Sequence, residues 1–109
     1  MAYDEGLAQR IREALADDAG LTERRMFGGI AYMLHGNMAV GISGDELMVR
    51  VGPDRYDEAL AQPHARVFDM TGRVMRGWVV VEAEGVADDA ALNAWVQKGA
   101  EFARSLPAK

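Results

Sequence analysis

The sequence predicts an α+β domain: an antiparallel, meander-rich sheet flanked by N- and C-terminal helices in a two-layer sandwich. Three observations predict it. Apolar residues recur at helical spacing at both ends of the chain, over residues 4–17 and again from Asp88 to about Leu106. The segment between them is dominated by short runs of period two. Those runs are joined by turns of two or three residues, which suit antiparallel hairpins and exclude parallel crossovers of the dinucleotide-binding kind.

Each element has a local reason. Asp4 is a natural N-cap for the first helix, and Leu7, Ile11, Ala14 and Leu15 make one apolar face. Gly20 is a terminator, while Asp17 and Asp18 oppose the negative end of the helix dipole and favour fraying of the last turn. Residues 22–27 form a first strand and 29–34 a second, with Ile30, Tyr32 and Leu34 on one side. His35-Gly36-Asn37 is the hairpin turn. In residues 38–43, Met38, Val40 and Ile42 face one way, and the small Ala39, Gly41 and Ser43 let a helix or another backbone pack closely on the other. After Gly44-Asp45, residues 46–51 point Leu47, Val49 and Val51 inward and Glu46, Met48 and Arg50 outward.

Gly52-Pro53 opens a short helix held by Tyr56, Ala59 and Leu60 and closed by Pro63. Residues 64–77 read as irregular, or as one short strand around Val67 and Phe68, with a turn at Thr71-Gly72. Residues 78–83 are a β-branched run suited to a buried strand. The closing helix carries Leu92, Trp95, Val96, Gly99, Phe102, Ala103 and Leu106 on one stripe, is capped by Asp88 or Asp89, and stops at Pro107.

The totals bound the function classes. A chain of 109 residues makes one domain, expected over 1–109 with 107–109 as a loose tail. Half of its residues are hydrophobic and 27% are charged, the composition of a globular protein. No stretch approaches the ~18 apolar residues of a membrane span, and no secretory leader is visible. The lack of cysteine excludes disulfides and thiolate metal sites and fits a cytoplasmic location. The net charge of −5 argues against a dedicated nucleic-acid binder. Only the middle is basic, with seven Arg against six acids over residues 24–76.

Candidate chemistry is sparse. His35 and His64 lie far apart and neither has a ligand at i+3 or i+4, so they read as turn and loop residues. Ser43 and Ser105 are not in Gly-flanked elbows. Asp54, Asp57 and Glu58 share one short helix, where solvation is the ordinary role of a carboxylate. Gly28-Gly29 lacks the Lys and Ser/Thr of a phosphate loop. Seven methionines suit either a soft binding surface or, the plainer reading, one initiator and six core or strand fillers. The run Arg24-Arg25-Met26-Phe27-Gly28-Gly29 stands out: two cations, two bulky apolar residues and two glycines at a helix-to-sheet transition. With Arg73 and Arg76 it makes a candidate partner-binding surface, provided the sheet brings the two segments close.

The RRMFGG run after a capped helix, a hairpin turning at Gly36 and the strand DELMVRV at residues 45–51 resemble the N-terminal domain of the TfoX/Sxy family. The aromatic-led strand at Trp78 and the closing helix with Leu92 and Trp95 are similar too. The resemblance implies a compact α/β sandwich, a bacterial cytoplasmic protein, no cofactor and no catalysis. Its namesakes regulate natural competence together with a transcription activator. Full-length regulators of that kind carry a second, helical domain that this sequence lacks, and the position after the glycine pair, often aromatic in the family, is Ile30. The expectation is therefore a non-catalytic regulatory or protein-interaction module. Its partner is a transcription regulator or a second copy of the chain, bound near Arg24–Gly29. Nucleic-acid binding by the Arg-rich middle, and small-molecule binding or enzymatic chemistry in a sheet cleft, are the alternatives.

Overall fold

The computed structural model describes residues 4–26, 29–70 and 72–108. Helix α1 (Glu5–Ala14) leads into β1 (Leu21–Met26), β2 (Gly29–Leu34), β3 (Asn37–Ser43) and β4 (Glu46–Arg50). A 3₁₀ turn over Pro53–Arg55 and helix α2 (Tyr56–Leu60) then connect to β5 (Ala65–Met70), β6 (Arg73–Val81) and helix α3 (Asp89–Ser105). The six strands form one antiparallel sheet in the order β1-β2-β3-β4-β6-β5. The α+β sandwich read from the sequence is the observed architecture.

One sheet face builds the core. Register places Ile30, Ile42, Leu47 and Val81 in one row and Tyr32, Val40, Val49 and Val79 in the next. All eight are buried. Onto them pack Leu7, Ile11 and Leu15 of α1 and Leu92, Trp95, Val96, Ala100 and Ala103 of α3. Each buried aliphatic contributes about 1.5–3 kcal/mol relative to exposure, so these two rows dominate the stability. Gly99 sits where α3 comes nearest the sheet: a Cβ there would lie 2.4 Å from the Ala39 carbonyl oxygen. The Tyr32 hydroxyl, fully buried, donates to the Ala8 carbonyl at 3.1 Å and ties α1 to the sheet. Arg10 donates to the Val86 carbonyl at 2.8 Å and so fastens α1 to the start of α3.

The helix caps follow the sequence. Asp4 accepts from Leu7 N and Asp88 from Ala91 N, both at 3.1 Å. The first helix stops at Ala14, three residues short of the expected end. Asp18, an acid that the helix dipole disfavours there, instead takes two donors from Arg104 of α3 at 2.8–3.0 Å.

Three expectations need correction. Of the two readings of residues 64–77, the strand at Val67 and Phe68 is the observed one: both lie in Ala65–Met70, which pairs with Arg73–Val81 in a long hairpin, so the following strand starts at Arg73 and not at Trp78. Its alternation is broken by a register shift between Val67 and Asp69 and by Gly77 at φ 91, whose carbonyl accepts from both Val51 N and Gly52 N. That irregularity hides the strand from a period-two pattern. Met38 does not share a face with Val40 and Ile42, because a bulge at Tyr32/Met33 shifts the register and pairs Met38 with Met33. Asn37 belongs to β3 rather than to the turn; it is buried and its amide donates to the Pro107 carbonyl at 2.9 Å. The turn proper is His35 (φ 51) and Gly36 (φ 84), the left-handed pair of a two-residue hairpin.

Candidate functional site

The helices cover one side of the sheet; the other side carries the features that bear on function. Register aligns Arg24, Ala31, Gly41, Met48, Val80 and Arg66 across all six strands on that open side. Gly41 stands at the centre of this row. A Cβ there would come within 2.8 Å of Met38 Cε and 2.9 Å of Met48 Cε, so two thioether ends converge over its bare backbone. Of the small-residue positions, Ser43 lines a hollow on the open side, Gly41 lies under the two thioether ends, and Ala39 lies beneath α3.

The hollow measures about 220 Å³. Gly29, Ala31, Met38, Met48, Phe68, Met75 and Trp78 are among the residues that line it. β2 and β5 stand four places apart in the sheet, so the sheet curls enough for both to border one cavity. Phe68 and Trp78 make the far wall, their ring centroids 5.9 Å apart at 56°. Apart from the Ser43 hydroxyl and the Trp78 N–H, the described side chains of the lining carry no polar group. Met33, Met38, Met48 and Met75 are each half-buried and none belongs to the core. These four methionines are strand residues outside the buried core, and Met38, Met48 and Met75 line the hollow. Strand alternation was the available signal: Met48 stands between the inward Leu47 and Val49.

The predicted site residues are distributed around this face. Arg24 is on the open side, exposed, beside Ala31. Arg25 falls on the helix side, paired with Ile30. Met26 ends β1 opposite Gly29, and Gly29 lines the hollow. Phe27 and Gly28, like the Thr71 of the expected turn, lie outside the described residues. Arg73 opens β6 on the face that Met75 shares, whereas Arg76 turns to the helix side with its guanidinium 5.1 Å from the Tyr56 ring. β2, β3 and β4 separate β1 from β6, a spacing of roughly 19 Å along the sheet. The two arginine segments are therefore flanks of one face and not a single patch.

The remaining cations among the described residues are engaged. Arg66 meets Glu46 at 2.5 Å and Glu82 at 3.9 Å. Arg55 meets Glu101 at 2.6 Å, and Arg12 meets Glu23 at 2.7 Å. The Arg50 guanidinium lies 5.8 Å from the Trp78 ring and 5.3 Å from Phe102. His64 and Glu84 border a shallow groove with Trp95 and Lys98. Ser105 donates to the Phe102 carbonyl at 2.6 Å. Among the described residues, no three His, Asp or Glu side chains converge as metal ligands, and no helix is long and apolar enough to cross a membrane.

These features define a class: a two-layer α+β sandwich with one helix-covered face and one open face holding a methionine-lined hollow. The chain belongs to the TfoX N-terminal domain family, whose model matches residues 13–103. That span runs from α1 to the last turns of α3 and contains the whole sheet. No curated protein and no solved structure matches the chain.

Proposed function

We propose that this domain is a non-catalytic, regulatory protein-interaction module that engages a protein partner over the open face of its sheet. One observation carries the reading: an apolar hollow lined by Met38, Met48, Phe68 and Trp78 stands on a face that no helix among the described residues covers. Methionine-rich apolar surfaces suit partner binding because the flexible thioether adapts its shape. The size of the hollow agrees. At about 220 Å³ it is below the roughly 300–1,000 Å³ of small-molecule sites, and it suits a few anchoring side chains of a larger partner. Membership of the TfoX N-terminal family adds the regulatory part of the reading.

The test is affinity capture from bacterial host cells with the tagged wild-type chain and with Met48→Asp, both confirmed folded by circular dichroism. Met48 points away from the core, so the variant keeps its fold while placing a carboxylate in the hollow. Wild type is expected to retain a stoichiometric partner that Met48→Asp loses. Identical partners in both captures would overturn the assignment to this face.

A further inference from the structure

We infer that the occupant of the open face is an acidic amphipathic helix of a protein partner, an inference that rests on the interaction reading above and gives it a chemistry. The chain carries −5 overall, yet its open face presents Arg24, Arg50, Arg66 and Arg73 against Glu46, with Glu82 at its margin; Arg50 lies against the Trp78 and Phe102 rings. Arg66 is satisfied by those two acids. Arg24 and Arg73 are exposed and have no ion-pair partner among the described residues. Two guanidinium groups without an ion-pair partner among the described residues therefore share the face of the apolar hollow, one on β1 beside Ala31 and one at the start of β6, two residues before Met75. That pattern complements a ligand with an apolar stripe and carboxylates on both sides of it.

The centre of the face offers side chains, since the N–H and C=O groups of β2, β3 and β4 are already paired within the sheet. An extended segment laid there would leave its own peptide groups without partners against Met38, Met48 and Trp78, at a cost for each group. A helix satisfies its peptide groups internally and brings only its apolar stripe. Covering an open sheet face with a helix is also how layered domains close, as α1 and α3 do on the other side.

A helix with its side chains is about 10–12 Å across, narrower than the roughly 19 Å from β1 to β6 along the sheet. Register puts Arg24 level with Val80, whereas Arg73 lies beyond Trp78, where the β4–β6 pairing ends, so the two arginines stand at diagonal corners of the face and one helix laid obliquely over β2–β4 brings carboxylates towards both. Nucleic acid fits less well: phosphate binding draws on many cations, and the floor between these two is thioether and aromatic.

The experiment uses the full chain and three synthetic probes of equal length. The first is an amphipathic helical peptide with Leu and Phe at i, i+3, i+4 and i+7 and Glu on both flanks. The second is the same peptide with Lys for Glu, and the third is a 20-base-pair DNA duplex. Binding is read by calorimetry and by amide chemical shifts, with wild type, Met48→Asp and the double variant Arg24→Glu/Arg73→Glu. The acidic peptide is expected to bind at least tenfold tighter than the lysine peptide, to weaken with salt, and to shift resonances of β2–β4 and β6. Met48→Asp abolishes that binding, and the double charge reversal inverts the preference between the peptides. Equal affinity for both peptides, preference for the basic one, or no binding of either overturns the acidic-helix assignment. Tighter binding of the duplex than of the acidic peptide overturns it in favour of nucleic acid. The interaction reading itself stands or falls separately, on whether cellular capture depends on Met48.

Discussion

Replacing Gly99 by Ala sets two physical effects against each other with opposite signs. Intrinsic helix propensity favours Ala over Gly by about 1 kcal/mol in the interior of a helix, and residue 99 is well inside α3. Packing opposes it. The new methyl carbon would lie 2.4 Å from the Ala39 carbonyl oxygen, 2.9 Å from Val40 Cγ1 and 3.1 Å from the Ala39 carbonyl carbon. The first contact is about 1 Å short of ordinary van der Waals separation, which begins at 3.4 Å. The obstacle is β3 backbone, held by ladders to β2 and β4, so no rotamer change relieves it. Instead α3 must lift, loosening the buried Trp95, Val96, Ala100 and Ala103. Overpacking of this kind costs about 1–3 kcal/mol, and immovable backbone places it near the upper end. Net of the propensity gain, Gly99→Ala is expected to destabilise by about 1–2 kcal/mol, a fall in Tm of roughly 4–9 °C for a chain of this size. Urea unfolding followed by far-UV circular dichroism measures it, with Ala94→Gly on the exposed side of the same helix as the calibration. That reference should lose about 1 kcal/mol from propensity alone. A Gly99→Ala protein more stable than wild type would refute the close approach of α3 to β3, and with it the geometry of the sandwich.

Tyr32→Phe removes the donor to Ala8 O from a fully buried site and should cost about 1–2 kcal/mol by denaturant titration; a change below about 0.3 kcal/mol would show that this bond does not hold α1. Trp95→Ala should cost about 3–5 kcal/mol, since the indole is buried between α3 and the sheet, and a loss under about 1 kcal/mol would contradict that burial. Asp88→Ala deletes the cap on α3 and should cost about 1 kcal/mol, while Asp88→Asn, which keeps an acceptor oxygen, should recover most of it in the same titration.

The fold was largely legible because most of its elements obey one period at a time. Asp4 and Asp88 announce helix starts, the strands from Leu21 to Arg50 alternate, and short turns dictate antiparallel neighbours. The β5–β6 hairpin was legible in its first strand, around Val67 and Phe68, and not in the early part of its second, since the register shift at Val67/Asp69 and the left-handed Gly77 interrupt the alternation before Trp78. Met38 was placed on the wrong face for the same reason: one extra residue in β3 opposite Tyr32/Met33 inverts every side before it. The site was legible in its parts and not in its assembly. Of the named candidates Gly29 lines the hollow, while Arg24 and Arg73 stand on the same face outside its lining; Gly41 read as room for a helix or another backbone. Arg25 and Arg76 were named with them and fall on the opposite side of the sheet.

The amino-acid order by itself determined the class of protein: two capped amphipathic helices, a meander with short turns, and the family pattern that begins at Arg24. These are local properties, set by spacing along the chain and by single-residue preferences. Only the tertiary structure decided which sheet face stays open, which methionines meet above Gly41, and that the two arginine segments become opposite rims. Those outcomes depend on strand order, on bulges that flip side-chain parity, and on α1 and α3 choosing the same side. Each is a relation between residues distant in sequence, and no local pattern carries it.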